Sequence, residues 1–174
     1  MPHTRLLFRS EARERVLKGA AALADAVRIT LGPKAHCVLI EQKWGAPLVC
    51  NDGVTIAKAV DLSDPDEALG ARLLREAAER TGSAVGDGTT TATILGYALL
   101  ADGMRNVAAG ASAIDIKRGF DGALRVAVEA LKAQSRPVTT RKERAQVATI
   151  AAHTDASSCA QLIRTLLMPA ATSS

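Results

Sequence analysis

Eight consecutive residues, Gly86-Asp87-Gly88-Thr89-Thr90-Thr91-Ala92-Thr93, lead straight into a long Ala-rich apolar stretch, the arrangement that a phosphate-binding helix start requires. Gly86 and Gly88 let the backbone turn tightly and come close to a ligand. The first amides of the helix that follows have no intrahelical acceptor and lie at the positive end of its dipole. Hydroxyls at Thr89, Thr90 and Thr91 add hydrogen-bonding groups. Asp87 would repel a bare phosphate but becomes useful when a divalent cation stands between its carboxylate and the phosphate oxygens, so magnesium nucleotide suits this chemistry. A helix cap formed by Asp87 or Thr89 is the plainer reading of an isolated Asp-Gly-Thr; a run of eight residues in this order favours phosphate.

The elements that must position this run follow from periodicity. Ser10 is placed to cap a first helix of about 20 residues, with Val16, Leu17, Ala20, Leu23, Ala24, Val27 and Leu31 on one stripe. Gly32 and Pro33 stop it, leaving Thr30-Leu31-Gly32-Pro33-Lys34 as bare backbone at a helix end. Cys37–Ile40 and Pro47–Cys50 are short β-like runs around Gln42-Lys43-Trp44-Gly45-Ala46 and predict a hairpin. An isolated two-stranded ribbon is marginal in water, so this one is expected to pair within the chain or with a neighbouring subunit. Trp44, near the tip, is either a contact residue or an ordinary surface aromatic.

Asn51-Asp52-Gly53 is a turn signal, explicable by turn chemistry alone, before a short helix over 54–60. A loop over 61–66 precedes an amphipathic helix over 67–84 with Leu69, Leu73, Leu74, Ala77 and Ala78 as its stripe. A helix over 89–108 is expected to bury a face of Ile94, Leu95, Ala98, Leu99 and Met104, and Gly110 to stop it. Ser112 to Asp115 opens a helix to about Gln134, and Thr140 with Glu143 forms a capping box for the next. Ser157 to Met168 begins another, and residues 169–174 read as a frayed tail. Five or six helices and one hairpin make the fold class mostly α.

Composition agrees. With 174 residues a core is affordable without disulfides, and at 2% aromatic content it must be assembled from Ala, Leu, Val and Ile, which suits closely packed helices. The net charge of +4 is spread along amphipathic segments without a dense basic block, so nucleic acid is set aside as a partner. Cys37, Cys50 and Cys159 are odd in number and fit neither a disulfide framework nor a zinc site; Cys37 and Cys50, at the two ends of the hairpin, could face each other, but small buried thiols are the favoured reading. His3, His36 and His153 carry no ligand pattern. No membrane span is present, and the cytoplasm is the default location.

Taken together, Thr30-Leu31-Gly32-Pro33-Lys34, Trp44-Gly45-Ala46-Pro47, Asn51-Asp52-Gly53-Val54, the 86–93 run and Asp115-Ile116-Lys117-Arg118-Gly119 resemble, in order and spacing, the group I chaperonin large subunit of bacteria over about residues 6–168. The resemblance implies a multihelical fragment of the equatorial ATP-binding domain over residues 1–136, with 137–174 as the start of the intermediate domain and a divergent tail. The apical domain and the second equatorial half would be absent. It also implies ATP and Mg2+ as cofactors. Thr30, Leu31, Gly32 and Pro33 would pack on the nucleotide and its phosphates, Asp87 would hold the metal, and Gly88, Thr89, Thr90 and Thr91 would receive phosphate oxygens. Asp52, the one catalytic candidate, would help position the metal or the attacking water. Implied partners are other chaperonin subunits, unfolded client proteins and, in the full-length family, a co-chaperonin.

Two positions depart from the family pattern. Asn51 stands where Lys usually precedes the aspartate, removing a charge-assisted contact of about 1.5 to 3 kcal/mol that Lys34 or Lys58 would only partly replace. Ala35 stands where Gly is common. A chain without the apical domain and the second equatorial half is expected to be unable to enclose substrate, to expose the face of Val16, Leu23 and Val27, to lack the family's water-activating intermediate-domain aspartate, and to hydrolyse ATP poorly if at all. The alternative function is a non-enzymatic module that docks on full-length chaperonin subunits through the hairpin, with Val38 and Ile40 as contact residues. A stand-alone magnesium nucleotide hydrolase is the weakest reading, since no Gly-x-x-x-x-Gly-Lys-Ser/Thr element is present.

Overall fold

The computed structural model describes residues 9–32, 35–42 and 45–151. Trp44, His153, Cys159 and the helix anticipated from Ser157 lie outside the described residues. Two compact units divide the chain, residues 1–119 and 120–174. The first holds α1 (Arg9–Arg28), a hairpin of β1 (Val38–Ile40) and β2 (Leu48–Cys50), α2 (Gly53–Ala59), α3 (Pro65–Val85) and α4 (Thr89–Ala108). Helix α5 (Ala113–Gln134) begins in it and ends in the second, which also holds α6 (Arg141–Ala151). The expected mostly helical architecture with one small hairpin is what forms.

Helix α1 already runs at Arg9, so Ser10 lies inside its first turn rather than capping it. Its apolar stripe packs as the periodicity requires: Ala20, Leu23, Ala24 and Val27 join Ile56 and Ala57 of α2 and Ala71, Leu74 and Ala78 of α3 in one core. The expectation that this α1 face would be bare is overturned, because α2, α3 and α4 all pack on α1 and leave Leu23 and Val27 fully buried.

Two glycines set the distance between α1 and α3. A Cβ at Gly19 would lie 1.8 Å from the carbonyl oxygen of Glu67, and one at Gly70 would lie 1.8 Å from that of Val16. The backbones therefore touch directly, which only residues without a side chain permit. This contact also rotates the buried stripe of α3: Gly70, Ala71, Leu74 and Ala78 face inward, while Leu69 and Leu73 of the anticipated stripe are exposed. Arg15 reaches across to Asp64 at 3.0 Å and Asp66 at 3.4 Å, and Lys18 to Glu67 at 2.6 Å, so charges border the glycine contact.

Short α2 is tied to α3 by Arg75, whose Nε donates to the Ala57 carbonyl at 2.9 Å and whose Nη2 donates to that of Val60. These are carbonyls at the helix end, where intrahelical partners run out. Helix α4 differs from expectation. Thr93 is buried, with its hydroxyl on the Thr89 carbonyl at 2.8 Å, and Tyr97 and Leu100 lean on the core, whereas Leu95 and Leu99 are exposed.

The hairpin pairs Val38 with Cys50, Leu39 with Val49 and Ile40 with Leu48 in antiparallel register. Alternation puts Val38, Ile40 and Cys50 against the core and leaves Leu39 and Val49 outward, 68% and 64% exposed. Cys37 is exposed and Cys50 half-buried, both free thiols, so the reading of Cys37 as a buried thiol is corrected: it lies one residue outside the strand that packs inward. Helix α5 buries no residue among those described. The Thr140–Glu143 capping box forms as read: the Glu143 amide donates to Thr140 Oγ1 at 3.2 Å, and the Thr140 amide to Glu143 Oε2 at 3.0 Å.

Candidate functional site

Three chain segments far apart in sequence meet at the first turn of α4. A Cβ on Gly53, the first residue of α2, would fall 2.6 Å from Thr90 Oγ1, 3.0 Å from the Thr90 amide nitrogen and 3.1 Å from Thr89 Oγ1. Thr30, just past the end of α1, places its Oγ1 3.2 Å from Thr90 Oγ1. Since the Thr30 hydroxyl donates to the Val27 carbonyl at 2.8 Å, Thr90 is the donor between the two threonines. Behind them Gly82 of α3 lies within 3.4 Å of Thr89 Cγ2 and Val54 Cγ2, measured from where its Cβ would be. Thr30, Gly53, Thr89 and Thr90 thus form one junction.

The start of α4 carries no side-chain cap. Its N-cap is Gly88, in the left-handed region at φ 76°, which has no side chain to offer the helix. The first intrahelical bond runs from the Ala92 amide to the Gly88 carbonyl at 2.9 Å, so the amides of Thr89, Thr90 and Thr91 precede the ladder and are not met by any side chain among the described residues. Asp87 does not cap them either. Its Oδ1 accepts from the adjacent Gly88 amide at 2.6 Å, and the side chain is otherwise exposed. Gly86, also left-handed at φ 73°, ends α3 and permits the reversal into this turn.

Asp52 does cap a helix. Its Oδ2 accepts from the Thr55 amide at 2.9 Å and the Thr55 hydroxyl at 2.6 Å, and its Oδ1 from the Val54 amide at 3.4 Å. Partial burial pushes this carboxyl up, but the Thr55 hydroxyl and amide, the Val54 amide and the Lys58 cation together outweigh it and hold the group below the ordinary aspartate range. The turn chemistry read from Asn51-Asp52-Gly53 is therefore present, and the same residue borders the α4 junction through Gly53.

Leu31 and Gly32 continue from Thr30 at the surface, with Gly32 at φ 88° and the Ala35 amide donating to its carbonyl at 3.0 Å. Pro33 and Lys34 lie outside the described residues. Among the described residues no group of three or more His, Cys, Asp or Glu side chains comes together, so any cation here would depend on ligand oxygens as well as protein. That is the usual condition for magnesium, which takes one or two carboxylates and substrate phosphates. The exposed Asp87 carboxylate can supply such an oxygen, and the helix amides beside it suit phosphate oxygens.

The residues that sequence reasoning missed are Gly53 as a contact, Thr55 and Arg75. Thr55 was findable, three residues after a capping Asp, where a side chain can reach back to the cap.

Comparison with known proteins places the chain in a family. Residues 23–173 match the model of the TCP-1/cpn60 chaperonin family. The chain belongs to this family. A chaperonin relative, chaperonin GroEL 5 of Bradyrhizobium diazoefficiens, is 62% identical over 157 residues, which are 90% of this chain and 29% of the relative. The chain spans less than a third of the length of that chaperonin. Among the described residues, no helix is long and apolar enough to cross a membrane.

Proposed function

We propose that this chain is the nucleotide-binding part of a chaperonin subunit, taking ATP with Mg2+ and serving protein folding together with other chaperonin subunits, unfolded client proteins and a co-chaperonin. Residues 1–136 correspond, on this reading, to the first half of the equatorial ATP-binding domain and 137–174 to the entry into the intermediate domain. The observation that carries it is the open first turn of α4: three amides ahead of the hydrogen-bond ladder, a glycine cap and an adjacent exposed Asp87. Backbone amides of Thr89, Thr90 and Thr91 bind phosphate oxygens, Asp87 holds the cation, Thr30, Leu31, Gly32 and Pro33 line the nucleotide, and Asp52 orients the attacking water. Magnesium, when bound there, neutralises charge on the phosphoryl oxygens.

The test is calorimetric titration of the full chain with ATP in the presence and absence of magnesium, with Asp87→Ala beside it. Saturable, magnesium-dependent binding that disappears in the variant is expected. A folded wild-type chain that takes up no nucleotide would reject the reading.

A second reading, docking on full-length chaperonin subunits without catalysis, is favoured by the apolar outer face of the hairpin. The contact residues for it are Leu39 and Val49; Val38 and Ile40, the pair singled out by sequence, pack against the core of their own chain. Leu39→Lys with Val49→Lys should abolish co-purification with intact chaperonin rings, and unchanged recovery would dismiss this role.

A further inference from the structure

Asp52 has more donors than a helix cap requires. Capping α2 needs its carboxylate to accept first-turn amides, and Thr55 N at 2.9 Å and Val54 N at 3.4 Å already supply them. The Thr55 hydroxyl adds a bond of 2.6 Å to Oδ2 that satisfies no backbone group. In a capping box, the side chain three residues after the cap reaches back to the cap's own amide. Here that amide meets Cys50 Sγ at 3.3 Å, and the Thr55 side chain serves the carboxylate instead.

An ionised carboxylate only accepts, so the Thr55 proton is committed to Oδ2. Oδ2 then carries two short bonds, while Oδ1 carries one long one and keeps its remaining lone pairs. The two oxygens are inequivalent. Gly53, the very next residue, touches Thr89 and Thr90, so the inequivalent carboxylate is anchored one residue from the open turn of α4.

We propose that Thr55 is a positioning residue: its hydroxyl and amide hold Oδ2 of Asp52, fix the carboxylate plane and reserve Oδ1 as the acceptor that orients a water at the phosphate end of the site. The role given to Oδ1 rests on the nucleotide reading above; the Thr55–Asp52 link does not. Other charges around α2 are engaged elsewhere. Lys58 pairs at 3.9 Å with Glu79 of α3 while attracting Asp52 from further along the helix, and Arg75 of α3 is bound to the carbonyls of Ala57 and Val60.

Carbon-13 NMR of the Asp52 carboxyl, titrated in the full chain, tests the link in wild type, Thr55→Ser and Thr55→Val. Ser retains the hydroxyl and Val the branched shape. The expected result is a wild-type midpoint in Thr55→Ser and a raised one in Thr55→Val, with α2 amides equally protected from exchange in all three. Identical midpoints throughout, or the same rise in both variants, would overturn the proposal, as would loss of α2 protection in Thr55→Val, which would make Thr55 a support for the helix alone. Calorimetry with magnesium ATP reports separately: no binding by the folded wild type overturns the nucleotide reading and the water assigned to Oδ1, and leaves the NMR result for the link standing.

Discussion

At the residue scale, the site divides by what each side chain is already bonded to. Asp87, with one bond to its neighbour's amide, keeps acceptor capacity, whereas Asp52 is held by Thr55 and Val54. Asp52 lies below its unfolded value, so the stability it lends α2 is present above the ordinary aspartate range and is lost as pH falls through the depressed folded midpoint. Asn at position 52 still caps but does not titrate. Melting curves between pH 7 and 3 should therefore show wild type losing more stability on acidification than Asp52→Asn, and parallel losses would contradict the cap. Asn51 is exposed beside the same turn. Restoring the cation with Asn51→Lys should tighten magnesium ATP binding about tenfold, the low end of a charge-assisted contact, as read by calorimetry. The run from Gly86 to Thr93 was legible because its chemistry is local: glycines, hydroxyls and a carboxylate in sequence order. Thr30 was legible from periodicity only as a helix end, since its link to Thr90 spans 60 positions, and it entered the candidate site through the family resemblance.

At the element scale, helix existence could be read from periodicity, but helix rotation could not. Leu69 and Leu73 lie on the apolar stripe of α3 and still face outward, because the approach of α3 to α1 is fixed by Gly19 and Gly70 rather than by the largest side chains; in α4, Leu95 and Leu99 face outward while Thr93, Tyr97 and Leu100 turn toward the core. A glycine inside a helix costs about 1 kcal/mol relative to alanine, which is the signal that a packing reason exists. Gly19→Ala and Gly70→Ala should each lower stability by about 1 to 3 kcal/mol despite the gain in helix propensity. Gly119→Ala and Gly122→Ala in α5, where an added Cβ meets nothing within 4 Å, should raise it by up to about 1 kcal/mol. Urea unfolding midpoints that move in the same direction for both pairs would refute the backbone contact. Arg75→Leu leaves the last carbonyls of α2 without their guanidinium, and hydrogen exchange in α2 should accelerate ahead of exchange in α3.

At the scale of the whole molecule, large apolar side chains are exposed on several elements among the described residues, the hairpin and α5 among them. The outer face of the hairpin presents Leu39 and Val49, and α5 presents Phe120, Leu124, Val128 and Leu131 at helical spacing. Contiguous apolar patches of this kind mark contact surfaces. The isolated chain should bind a hydrophobic dye and associate with rising concentration, and Leu124→Lys with Leu131→Lys should reduce both; a dye response indifferent to these changes would place the exposed surface elsewhere. The contact between Gly53 and Thr90 has a mechanical consequence. Between α2 and the first turn of α4 there is no side chain on the glycine to bend or rotate, so the joint has almost no slack. A displacement of that turn toward α2 would press directly on the start of the α2 backbone, three residues after Cys50 at the end of β2. The junction is a short link with the open amides at one end and the hairpin at the other.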